Sequence, residues 1–213
     1  MEKRMLHLAL LKEQFPDEVM ATETLPSAYC EQIENVKAIV LGCDPSNRHS
    51  HNLEYAFGID SGIPKLNLFF SGIEANLKQI GLDRKCVYIQ NLCQNYFTSE
   101  TAGNSIWYQA AKVWRPFLKD ELQALNIPKE VPVLLTAQEI YFALLNDGIK
   151  KQKAKDLYLT PNLTPIPPKD NFLERPLIPL YRGGKGYYNL DKWKDYQKHI
   201  SNIIVFTFKT QSL

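Results

Sequence analysis

Apolar residues along this chain fall into two kinds of stretch: short continuous runs, and longer segments in which they recur every three or four positions. The runs are Lys37 to Gly42 (KAIVLG), Cys86 to Leu92 (CVYIQNL), Val131 to Ala137 (VPVLLTA) and Pro176 to Tyr181 (PLIPLY). Uninterrupted apolar runs of this length predict strands, and the first has the character of one buried on both faces. The periodic segments predict helices over residues 3–14 and roughly 26–34, the second with Pro26 in its first turn. Leu66, Phe69, Ile73, Leu77 and Ile80 line a third helix, and Gly81 supplies its stop. A long helix starts after Asn104 or Ser105, either a good N-cap, and buries Ile106, Ala110, Val113, Trp114, Phe117, Leu118, Leu122 and Leu125. Gln138 to Asn146 forms a short helix closed by Gly148, and a last one covers roughly 189–202. Residues 149–172, rich in Lys and Pro, read as an irregular exposed excursion, and the tail IIVFTF as an edge strand.

Strands and helices alternate through the middle of the chain. That order predicts an α/β fold, a three-layer α/β/α sandwich on a short, mainly parallel central sheet. A chain of 213 residues with 45% hydrophobic content can bury such a core in one domain spanning 1–213, with N-terminal helices in 1–35 and the core in 36–205. The formal net charge of +2 neither demands nor excludes a nucleic-acid partner. No stretch has the length to span a bilayer, so no membrane partner is expected. The basic-then-apolar start is broken by His7, Lys12 and Glu13, and reads as an amphipathic helix rather than a leader. Cys30, Cys43, Cys86 and Cys93 form no CxxC pair and lack metal-site spacing, which points to reduced thiols and a cytoplasmic protein.

Chemistry gathers at the predicted strand ends. The first strand runs into Gly42-Cys43-Asp44-Pro45, a tight turn presenting one carboxylate, and a long loop over 43–64 follows with Phe57 in it. The second strand ends on Asn91, and Leu180 to Lys185 follow the fourth. In open α/β sheets the carboxyl ends of the strands are where sites are built. A carboxylate orients or deprotonates water, an amide pairs with a donor and an acceptor on a planar edge, and an aromatic ring stacks on that plane. Each residue also has a plainer reading. Asp44-Pro45-Ser46-Asn47 is ordinary turn chemistry, Asn91 suits a turn cap, and Phe57 suits a core. His49 and His51 have no third ligand at metal spacing, and Lys150, Lys151, Lys153 and Lys155 read as a solvated loop. The GGKG turn lacks P-loop spacing, and Trp107, Tyr108 and Trp114 read as helix packing.

Taken in order, these segments resemble the uracil-DNA glycosylase superfamily. GCDPSN (42–47) is similar to its water-activating motif, and Ala56-Phe57-Gly58 stands where the family places its base-stacking Phe. KLNLFFSGIEANLKQIGL (65–82) resembles the helix that follows. VYIQN (87–91) resembles the strand whose Asn reads the uracil edge, and TAGNSIWYQAAKVWRPFLKDELQAL (101–125) the small-residue turn and long helix. VPVLLTAQEIYFALL fits the next strand and helix, so the resemblance covers roughly residues 36–190.

The resemblance implies a DNA glycosylase that flips uracil or a related damaged pyrimidine out of DNA and hydrolyses its N-glycosidic bond. Asp44 would position the water, Phe57 would stack, and Asn91 would read the base, with Cys43 and Ser46 lining the pocket. Leu180 would wedge into the base stack, and Arg182 or Lys185 would supply positive charge to phosphate or leaving group. Damaged or uracil-containing DNA is the implied partner of a monomeric protein, with no cofactor and no metal. The alternative is a member that binds DNA or a nucleobase without cleaving it; a third reading is an unrelated small-molecule hydrolase on a similar sheet. Two departures stand out. The family's last motif carries a His that steadies the departing uracil anion, and that position falls on Pro176. Strict uracil enzymes place a Tyr two residues after the Asp to exclude the thymine methyl, and this chain has Ser46 there.

Overall fold

A computed structural model describes residues 2–22, 24–45, 53–159, 166–181 and 190–209, leaving aside the side chains of 2, 154 and 206–209. The elements are α1 (Glu2–Gln14), β1 (Ala38–Gly42), α2 (Pro64–Gln79), β2 (Val87–Asn91), α3 (Trp107–Ala124), β3 (Val133–Leu135), α4 (Gln138–Leu144), α5 (Ala154–Leu159), β4 (Leu177–Pro179) and α6 (Lys194–Lys209). The four strands form an all-parallel sheet in the order β2-β1-β3-β4, flanked by helices. Every strand residue is buried, as continuous apolar runs require of strands covered on both faces. Register is tight at the centre, where Val40 lies between Ile89 and Leu134. Among the described residues no helix is long and apolar enough to cross a membrane.

Three expectations are corrected. Residues 26–34 do not form a helix beyond the short 3-10 turn Ile33–Asn35. The segment runs extended, and Tyr29 exchanges both backbone hydrogen bonds with Ile89 of β2 (2.9 Å each). Pairing there covers the outer edge of β2, which would otherwise present unpaired N–H and C=O groups. The tail is helix, not strand. Ile204 of the tail continues the stripe of Tyr196 and Ile200, all three buried at four-residue spacing. The excursion 149–172 contains α5, which buries Leu157 and Tyr158. Tyr158 stacks on Tyr196 of α6 at 4.4 Å.

Arg175, only 4% exposed, ties β4 to the connection before β3. Its guanidinium donates to the Ile127 carbonyl (2.7 Å) and to that of Pro128. Arg175→Met is expected to lower stability by roughly 1–3 kcal/mol, because the buried Ile127 carbonyl loses a charged donor. Urea unfolding checks this, and an unchanged midpoint would mean that water replaces the guanidinium.

Candidate functional site

The site is built where β1 and β2 end side by side. Gly42 and Asn91 are register partners, and the parallel ladder continues past them: Leu92 N–H donates to the Gly42 carbonyl (2.8 Å) and Cys93 N–H to that of Cys43 (2.9 Å). This ladder fixes the turn that carries Asp44, so the position of the carboxylate is set by sheet hydrogen bonds rather than by a loose loop.

Phe57 reaches the same point from the loop. It sits in the 3-10 turn Ala56–Gly58 with φ 63°, a left-handed conformation that is costly for a residue with a bulky side chain. The turn directs its ring inward, 6.0 Å from the rings of both Phe69 and Phe70 on α2. A side chain at Gly42 would collide with this ring and with Asn91. A Cβ there would lie 2.4 Å from Asn91 Oδ1 and 2.6 Å from Phe57 Cζ. Gly42 is thus the floor on which the aromatic ring and the amide meet.

Asn91 is 2% exposed, and its Nδ2 has no hydrogen-bond partner among the described residues. A buried amide donor left unused is unfavourable unless something else fills it. Its backbone N–H donates to Gln90 Oε1 (2.9 Å), so the main chain is satisfied and only the side chain is left over.

Asp44 is half-buried, and one of its oxygens is held twice. Oδ1 accepts from the indole Nε1–H of Trp107 (2.8 Å) and from the Thr101 hydroxyl. Burial pushes the Asp44 pKa up to about 6; the Thr101 and Trp107 donors oppose the rise and the nearby Glu100 adds to it. A carboxylate displaced this far by burial at a strand end is a candidate for functional chemistry.

Sequence reasoning passed over Thr101 and Trp107 as parts of the site. Trp107 does pack, at 1% exposure, but a buried indole N–H needs an acceptor, and Asp44 is it. That requirement was the available signal.

The other expected residues fall out differently. Cys43 is half-buried next to Asp44, and all four cysteines carry reduced thiols. Leu180 is corrected: it is 2% exposed, and its N–H donates to the Leu135 carbonyl (2.8 Å). A wedge must project from the surface, whereas Leu180 is core at the end of β4. Ser46, Arg182 and Lys185 lie outside the described residues, as do His49 and His51. His7 stacks on Trp114 between α1 and α3, and its Nδ1 is 2.7 Å from the Lys3 carbonyl. Among the described residues no three His, Cys, Asp or Glu side chains group as metal ligands. A cavity of about 520 Å³, lined by Cys30, Glu34, Tyr88, Glu121 and Leu125 among others, shares no residue with this site.

Together, the strand ends offer a carboxylate that is ionised above about pH 6, an unused amide donor and an aromatic ring over a glycine floor. Compared with known proteins, the chain matches no family model and no curated protein.

Proposed function

We propose that this protein is a DNA glycosylase acting on uracil or a related damaged pyrimidine. One observation carries the reading: Phe57 and Asn91 converge on Gly42, two residues before a carboxylate fixed in place by Trp107 and Thr101. That is what recognition of a flat heterocycle with a carbonyl edge requires, since the idle Asn91 Nδ2 is a donor in search of an acceptor. In the proposed reaction the target nucleotide leaves the duplex, and its base enters between Phe57 and Asn91. Asp44 accepts a proton from water as the water oxygen bonds to C1′ of the sugar. The bond from C1′ to the base nitrogen breaks with its electron pair going to the base, which takes a proton from solvent while Asp44 returns the water proton to solvent. Ionised Asp44 also stabilises the positive charge that develops on the sugar.

The test is single-turnover release of base from end-labelled oligonucleotides, with enzyme in excess. Release from uracil-containing DNA supports the reading. No release from a folded protein that still binds DNA with steep salt dependence would replace it with a binding module. No salt-sensitive affinity at all would replace it with an unrelated hydrolase. Ser46 in place of a blocking Tyr leads to a second expectation. Release of 5-hydroxymethyluracil should differ from that of uracil by less than the roughly 10- to 200-fold that excluding a single methylene produces. Complete rejection of the 5-substituted base would show that another side chain closes that wall.

A further inference from the structure

Two donors on one oxygen of a half-buried carboxylate do more than satisfy it. Trp107 Nε1 and Thr101 Oγ1 both approach Asp44 Oδ1, and among the described residues Oδ2 receives no hydrogen bond. The two donors come from one stretch of chain, the 3-10 turn Thr101–Gly103 and the first residue of α3, so a single structural unit delivers both. Neither donor carries a charge or titrates in the working range of an enzyme, which separates this arrangement from an ion pair. A Lys or Arg in the same place would share the carboxylate charge and hold its proton affinity down. Neutral donors fix direction and leave the charge on Asp44. Among the described residues, Glu100, which precedes Thr101, raises the proton affinity of Asp44, and Asp44 in turn raises that of the buried Cys93 thiol, with Cys43 adjacent in the chain.

We infer that Thr101 and Trp107 are positioning residues for Asp44: they close Oδ1 and leave Oδ2 as the oxygen that meets water or substrate. The consequence for turnover rests on the proposed role of Asp44, while the clamp stands on its own geometry. A carboxylate free to rotate offers either oxygen and samples unproductive rotamers; a clamped one is set in advance, and misplacement on the order of 1 Å is enough to lower rates roughly 100-fold.

The experiment follows Asp44 directly in the full chain. The Asp44 carboxyl carbon and the Trp107 indole N–H are observed by NMR from about pH 4.5 to about 8, with Asp44→Asn used for assignment. Both signals are expected to titrate together with a midpoint of about 6. In Asp44→Asn the Trp107 indole still faces Oδ1 of a side chain without charge, and it serves as the control that stays flat. Thr101→Val should move the Asp44 midpoint upward, since the hydroxyl opposes the rise, and Thr101→Ser should restore it. Trp107→Phe should move it in the same direction, but Trp107 is deeply buried, so the Thr101 pair carries the test if that variant fails to fold. In turnover, Thr101→Val should shift the acid limb of the rate profile with the midpoint and slow release roughly 10- to 100-fold. A Trp107 indole that does not respond to Asp44, or a midpoint unmoved in Thr101→Val, would overturn the clamp even if base is released. A clamp that titrates as described in a protein releasing no base would leave the positioning assignment standing and remove the glycosylase reading alone.

Discussion

Replacing Asp44 by asparagine is expected to cut single-turnover base release by at least roughly 100-fold while making the protein more stable at neutral pH. The loss follows from removing both the proton acceptor for water and the negative charge facing the sugar. The scale is taken from removal of single charge-stabilising groups elsewhere, which costs about 100- to 1,000-fold. Stability moves the other way because the Asp44 pKa is about 6 in the fold, against an ordinary value of 3.8. The native state therefore holds the carboxyl proton more tightly than the unfolded chain does. Between those two values the folded protein binds more protons, so stability falls as pH rises from about 4 to about 6 and remains lower above that. Asparagine escapes this loss and still offers Oδ1 to Trp107 and Thr101. A gain of about 1–3 kcal/mol is expected near pH 8, shrinking toward nothing near pH 4, where aspartic acid is itself neutral. Denaturant unfolding at the two pH values measures it. An equal effect at both would show that Asp44 is not held at a raised pKa. The same titration predicts that wild-type release rises with pH through about 6 to a plateau, since only the ionised carboxylate accepts the water proton.

The second large effect belongs to Gly42. Its Cβ in Gly42→Ala would stand 2.4 Å from Asn91 Oδ1, with Phe57 Cζ and Cε2 at 2.6 and 2.9 Å. Strand backbone accepts alanine readily, so propensity alone favours the change and packing decides the outcome. Phe57 has little room to yield. It is held in a left-handed turn, and Gly58 behind it has φ 64° and abuts Leu66. Overpacking of this kind costs about 1–3 kcal/mol, and the pocket that would receive the base loses its floor. Base release is expected to fall roughly 100-fold, as for a site displaced by about 1 Å. Pairing Gly42→Ala with Phe57→Leu in a double-mutant cycle tests the cause. Vacating the ring should recover part of the stability, giving coupling between two residues that are close in space and far apart in sequence. A Gly42→Ala protein with parental stability and undiminished release would show that the ring and amide are not seated as described.

What was legible in advance was periodic or local. The four strands announced themselves as apolar runs, and α2 and α3 through a helical stripe, because burial on a sheet imposes those periods on the sequence. Asp44 and Asn91 were legible because strand ends in such a sheet are where polar groups have reason to stand. The misreadings share one cause. Residues 26–34 contain helix-compatible residues, but the backbone of Tyr29 is claimed by Ile89 on the edge of β2. The tail looked like a strand as an apolar run until the buried face of α6 claimed Ile204. Leu180 looked like an exposed wedge from its place in a motif, and the end of β4 took it into the core.

The sequence by itself determined an α/β chain with a parallel sheet and marked the strand ends that carry Asp44 and Asn91, since hydrophobic period and turn chemistry act over a few residues. Only the tertiary structure decided what surrounds them. Trp107 and Thr101 lie 63 and 57 positions from Asp44, and nothing in local pattern links an indole N–H to a carboxylate at that separation. Gly42, Phe57 and Asn91 meet because parallel strands align their ends and a strained turn aims a ring at the one position without a side chain. The raised proton affinity of Asp44 has the same origin, because desolvation is a property of everything packed around a group and of no single neighbour in the chain.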